Sequence, residues 1–489
     1  MATFYWVGGS GTWNNTSNTN WAFTSGGAGG AGIPSAADSV QFNTNSGTAA
    51  TVTVESTAAC ENCTVNKSDI TLSLSGNATL SAAASGTFSL VTGTLTLNNN
   101  TLTLWIFNSN YGTARTINFG TGKVVVTGNA ATVWSCGDLS VMTYTGTPAV
   151  DATYSGSTGT RTIANGSTAG GSLAKSINLN VTAGTDTVTL TNNALNAFNN
   201  LDFTGFAGTL SNSAYSIYGN LTLSTGMTIT GGTGTTTFAG TSGPYTITSN
   251  GKTYDRPVTF NGIGGTWQFF DTFTQGSTRA MTLTNGTLNG NSQNVTVGTF
   301  ALGSGTKTLT LGSGTWTVAG ATWNANTNVT GLTVSASTGT ISMTSGSAKT
   351  FSGGALTWPT LNQGGAGALT IAQSNTFANI TDTVQPATVT LTAGTTQTVT
   401  SLGLAGTSGN LITLNSSVAG TRATIFKASG SVSLSFVSIK DIAATGGANF
   451  NAFTSNGCVD GGNNSGWDFN SALYPTIYTV RKTKRYFLN

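Results

Sequence analysis

Asp255 and Arg256, with Asp271 inside the aromatic run 267–273 (WQFFDTF), form the grouping best suited to catalysis in this chain. Brought together on stacked strands, two such carboxylates could act on a glycosidic bond from opposite sides. The same residues equally suit an ion pair beside a hydrophobic row. Asp186 and Asp202 make a sparser pair open to the same two readings. Acids are scarce: Asp and Glu total 14, and Glu55 and Glu61 are the only glutamates. Histidine is absent, which excludes nucleophilic triads that use imidazole. Beyond Asp255 and Asp271 no catalytic residue is expected.

Cys60-Glu61-Asn62-Cys63 is a CxxC, and Cys136 and Cys458 are the other cysteines. A zinc site would need two further ligands from a chain without histidine. A redox role would need βαβ surroundings that the pattern lacks. The thiols are therefore expected as small buried side chains, with no metal and no cofactor. Gly8-Gly9-Ser10-Gly11 and the Gly-rich run 26–32 have neither the lysine nor the strand–helix setting of a phosphate loop. Asn-x-Ser/Thr triplets such as Asn15-Thr16-Ser17 follow from composition alone.

Charged residues make up 6% of the chain, against roughly 25% in an average domain, so ion pairs cannot be its main surface device. The net charge of +3 is concentrated in Arg481, Lys482, Lys484 and Arg485, and the body is close to neutral. Without a basic stripe, nucleic acid is not an expected partner. No run approaches ~18 apolar residues, so membrane insertion by a helix is not expected either. The first residues, MATFYWVGGSGTW, lack the basic and apolar regions of a signal peptide, which points to assembly inside the producing cell.

The elements that must position these residues are strands. Short units such as 94–97 (TLTL), 101–104 (TLTL), 123–126 (KVVV), 187–190 (TVTL) and 388–392 (TVTLT) alternate apolar residues with Thr. That alternation places Leu and Val on one face and hydroxyls on the other. Asn, Gly and Ser clusters between the units tolerate tight turns. Residues 90–128 recur as 283–320: Gly93 pairs with Gly286, Phe107 with Phe300, Arg115 with Lys307 and Gly128 with Gly320. Weaker pairing, including Arg161 with Lys349, extends the copies to about 79–204 and 272–381. A repeated block of stackable strands, without linkers and with insertions between units, predicts an all-β, right-handed parallel β-helix over 46–470. Rows of Thr, Ser and Asn would form ladders on successive coils. The alternative is a tandem of β-sandwich domains, whose turns recur at similar spacing.

Residues 1–45 are expected to cap the first coil, since a solenoid otherwise exposes its core at each end. Trp6, Trp13 and Trp21 would either fill that cap or offer aromatic contacts to a glycan. Residues 471–489 break the pattern: Tyr478, Tyr486 and Phe487 alternate with Arg481, Lys482, Lys484 and Arg485. An arm of that kind suits attachment to a neighbouring protein.

The opening WVGGSGTW…NW…GGAGGAGIPSAADSVQFN, the block 251–290 and the closing 426–469 (FKASGSVSLSF…GCVDGGNNSGWDF) together resemble β-helix virion structural proteins of tailed bacteriophages infecting aquatic bacteria. The resemblance covers 4–469 and leaves the arm outside it. It implies a fibre, spike or capsid decoration on the particle, commonly a homotrimer, assembled in the host cytoplasm. Its implied partners are other virion proteins and a host-surface glycan or protein. A polysaccharide-degrading tailspike and a bacterial surface adhesin remain alternatives.

Overall fold

The computed structural model describes residues 1–470 apart from 82, 83, 192 and 336. Alternating side chains become strands of two to thirteen residues, nearly all hydrogen-bonded in parallel to strands of the coil before or after them. About 19 coils stack in this way, so the fold is a parallel β-helix. At ~4.8 Å per coil the stack is roughly 90 Å long. The tandem-sandwich alternative is not realised. Sandwich sheets pair antiparallel strands, whereas among the described strands only Thr3–Trp6 and Trp21–Ala22 pair that way.

Register explains why the core is continuous. One inward line runs Phe4, Val40, Cys63, Phe88, Phe107, Trp134, Ile163, Leu190, each facing its counterpart on the next coil. Another runs Met281, Phe300, Trp323, Phe351, Ile371, Leu391. Stacking like on like lets rings lie face to face: Phe107 and Trp134 have centroids 4.5 Å apart, and Phe300 and Trp323 4.3 Å. The outward lines are polar by the same register, as in Thr322, Thr350, Thr370, Thr390 and Asn415. Thr390 donates to Asn415 Oδ1 at 2.9 Å, and Asn199 and Asn200 both donate to Asn178 Oδ1. Neutral ladders thus do on this surface what ion pairs do elsewhere.

The repeated blocks occupy the same structural position. Thr87–Thr96 and Ala280–Asn289 have identical sequences of buried and half-buried residues. Each turns a corner at a glycine with positive φ, 101° at Gly93 and 83° at Gly286. A Cβ at Gly93 would lie 2.6 Å from the Lys67 carbonyl oxygen, and one at Gly286 would lie 2.5 Å from those of Gly262 and Gly265. Only glycine lets the coils close up there.

The two ends differ. Thr3–Trp6 pairs with Ser39–Phe42, so the stack begins within residues 1–45, and Trp21–Ala22 is laid antiparallel across that first strand. At the other end the final coil is held by Val459–Asp460 against Val437–Lys440 and by bridges from Ser465 to Ala443 and Asp468 to Asn451.

Candidate functional site

Asp255 does not face Asp271. Its carboxylate takes Arg279 instead, Nε to Oδ1 at 2.7 Å and a second nitrogen to Oδ2 at 3.3 Å, on a partly exposed corner. Asp271 accepts the backbone N–H groups of Ser249 (2.8 Å) and Asn250 (2.6 Å), which holds the turn of the coil before it. Arg256 points the other way, wholly buried, donating to Tyr215 Oη at 3.2 Å and to the carbonyls of Leu210 and Ser211. Asp255 and Arg256 lie in the bend between the strands Thr253–Tyr254 and Val258–Phe269, and the backbone there turns one side chain out and the other in. Each carboxylate is committed to a structural partner.

The second pair also parts. Asp186 forms a bidentate ion pair with Arg161, Nε to Oδ2 and a terminal nitrogen to Oδ1, both at 2.8 Å, with both side chains fully enclosed. Asp202 accepts from the backbone and hydroxyl of Thr204 in an exposed turn. Cys60, Cys63, Cys136 and Cys458 are free and buried. Burial pushes the Cys63 thiol well up and that of Cys136 up to about 12, which keeps them protonated and unreactive near neutrality. Among the described residues no group of three or more His, Cys, Asp or Glu could hold a metal ion. No helix there is long and apolar enough to cross a membrane.

Trp6, Trp13 and Trp21 are enclosed rather than displayed, each with 0% exposure, so none offers a face to a glycan. The Trp21 ring meets its neighbours edge-on, with centroids 5.1 Å from Trp6, 5.5 Å from Trp13 and 5.8 Å from Phe42. Alternation along Thr3–Trp6 and Gly11–Trp13 turns these side chains inward, where the first coil would otherwise be hollow. Tyr478, Arg481, Lys482, Lys484, Arg485, Tyr486 and Phe487 lie outside the described residues.

A set of buried cations, among which only Arg256 stood out in the sequence as a candidate for chemistry, accompanies these groups. Arg115, Arg161, Arg256, Lys307 and Lys349 are all almost fully enclosed. Arg115 donates to Ser109 Oγ (2.7 Å) and to the carbonyls of Ser109, Thr113 and Asp138. Lys307 donates to the Gly305 carbonyl at 2.6 Å, and Lys349 to those of Ser345, Gly365 and Gly367. Desolvation lowers the Lys307 ammonium pKa and brings that of Lys349 down to about 8. The signal was present as parity: in Arg115-Thr-Ile, Arg161-Thr-Ile, Lys307-Thr-Leu and Lys349-Thr-Phe the base shares a face with the buried residue two places on. These cations gather the carbonyls of tight corners that no strand can pair, a structural task.

A surface groove of about 340 Å³ runs past Thr357, Trp358, Pro359, Phe377, Ala378 and Thr400, and no charged residue lines it. Comparison with protein-family models, curated proteins and solved structures returned no match to this chain.

Proposed function

We propose that the protein is a virion structural component of a tailed bacteriophage, a rigid fibre- or spike-like appendage that contacts the host surface without catalysing a reaction. The observation that carries this reading is the single unbroken core from Phe4 to Cys458, wrapped in hydrogen-bonded coils whose outer ladders are nearly uncharged. Such a rod keeps its shape outside a cell, because each coil is clamped by two neighbours and few surface contacts depend on salt. The sequence resemblance over 4–469 supports the same assignment. Homotrimer formation and mounting through the C-terminal end belong to the proposal.

The test is direct. Purified particles of the phage encoding this chain should contain it by mass spectrometry, and antibody-gold labelling should place it on the particle exterior. Its absence from purified particles, or a location inside the shell, would refute the assignment. A depolymerase reading is not favoured, since both of its candidate carboxylates hold structural partners.

A further inference from the structure

Cys60 and Cys63 sit where the chain turns into the strand Asn62–Leu74, which is next in the stack to Ser39–Phe42. The backbone N–H groups of Glu61 and Asn62 both donate to the Asp38 carbonyl, at 2.7 and 3.4 Å, and the chain bends between the two cysteines. Both side chains end in the same enclosed interior, Cys60 with 3% exposure and Cys63 with none. Cys63 is stacked between Val40 and Phe88, and Cys60 Sγ lies 3.7 Å from Ser81 Oγ. The Cys63 thiol donates a hydrogen bond to the Cys60 sulfur, so the two sulfurs are neighbours. Cys136 and Cys458 lie on other coils, each apart from any second thiol.

As packing alone, each thiol would be a small inert hydrophobe. Contact makes the two unequal. The hydrogen bond from Cys63 lowers the Cys60 thiol pKa, whereas burial raises that of Cys63. The sulfur that ionises more easily is also the one with a trace of surface, and that combination selects a site of oxidation. Spacing agrees as well. A chain bent over four residues brings its end Cα atoms within ~7 Å, the range that a disulfide spans.

We propose that Cys60 and Cys63 form an oxidation site that closes into a disulfide once the chain leaves a reducing environment. The oxidant is hydrogen peroxide or another small neutral peroxide, which can reach a nearly enclosed sulfur. The Cys60 thiolate attacks one peroxide oxygen, and the O–O bond breaks. Hydroxide leaves and takes up the thiol proton as water, which leaves a sulfenic acid on Cys60. The Cys63 sulfur then attacks the Cys60 sulfur. The S–S bond forms as the S–O bond breaks, and the departing hydroxide takes the Cys63 proton as a second water. Two thiols and one peroxide thus give one disulfide and two waters. The pair does not turn over like a thioredoxin-type motif; it locks the bend beside the tryptophan-filled end of the stack. The site stands whether or not the chain belongs to a virion.

The full chain, purified under reductant and then treated with hydrogen peroxide at neutral pH, provides the test. After unfolding, free thiols are alkylated and the peptides mapped by mass spectrometry. The peptide carrying 60–63 should emerge unalkylated and lighter by two hydrogens, and should regain both thiols on reduction. Cys136 and Cys458 should react at least roughly tenfold more slowly. In Cys63→Ser, Cys60 should accumulate as a sulfenic acid that dimedone captures. In Cys60→Ser, Cys63 should stay reduced at the same dose. The parent map decides the matter even where a variant folds poorly. Two free thiols at 60–63, after a dose that fully oxidises free cysteine, overturn the proposal. So does oxidation of all four cysteines at one rate, and so does a disulfide that joins either cysteine to a second chain.

Discussion

Asp186→Leu should cost this protein more than almost any surface change, and the reason can be followed atom by atom. Arg161 is wholly enclosed and gives two 2.8 Å hydrogen bonds to the Asp186 carboxylate. With that carboxylate gone it keeps the Ala183 carbonyl at 2.9 Å, a long contact to Ala152 at 3.4 Å, and the rings of Tyr154 and Phe206 at 5.5 and 5.7 Å. All of these exist already in the intact protein, so none offsets the loss. A buried cation left without its anion costs about 3–5 kcal/mol. Arg161→Met strands the carboxylate and should cost about as much. The double variant removes both charges and should fall within ~1–2 kcal/mol of the parent, a coupling of at least ~2 kcal/mol. The assay is urea unfolding followed by tryptophan fluorescence. It is paired with hydrogen exchange in Thr160–Ala169 and Thr187–Leu190, which lie side by side. Single costs that simply add, or an Asp186→Leu loss below ~1 kcal/mol, would refute the reasoning.

Lys349 makes stability depend on alkaline pH. Its folded pKa of about 8 lies below the unfolded value, so between the two the unfolded chain binds more protons and stability rises with pH. Solvent screening at the corner limits the gain to roughly 1–2 kcal/mol, and Lys349→Met should flatten the profile in urea titrations run from pH 7 to 10.5. Gly286→Ala and Gly93→Ala should each lose ~2 kcal/mol or more, because a Cβ there meets carbonyl oxygens at positive φ. Gly76→Ala and Gly346→Ala, where nothing lies within 4 Å, should stay within ~0.5–1 kcal/mol by the same melt. Asp255→Asn breaks a partly exposed ion pair and should shift stability by no more than ~1 kcal/mol. It should also leave any clearing of host polysaccharide by particles unaltered; a lost halo would restore the enzyme alternative.

Much of the fold was legible because strand parity is a local property. Alternation marked which residues of 94–97, 101–104 and 187–190 face inward, and the paired Gly93 and Gly286 marked where two equivalent coils turn. The same parity, read strictly, would have placed Arg115, Arg161, Lys307 and Lys349 inside. The candidate site was less legible. Asp255 and Asp271 lie close in sequence, yet one reaches Arg279 and the other the turn at Ser249 and Asn250.

The sequence alone thus determined a β-solenoid, an interior of alternating apolar residues and a surface of neutral ladders, since each depends on neighbours two places apart. Tertiary structure decided which ionisable groups meet. Partners such as Arg161 and Asp186 are separated by a whole coil, and the length of the intervening corners sets their register. It likewise decided between the two readings of Trp6, Trp13 and Trp21, since Trp21 is paired antiparallel beside Trp6 and all three rings are enclosed as the filling of the first coil.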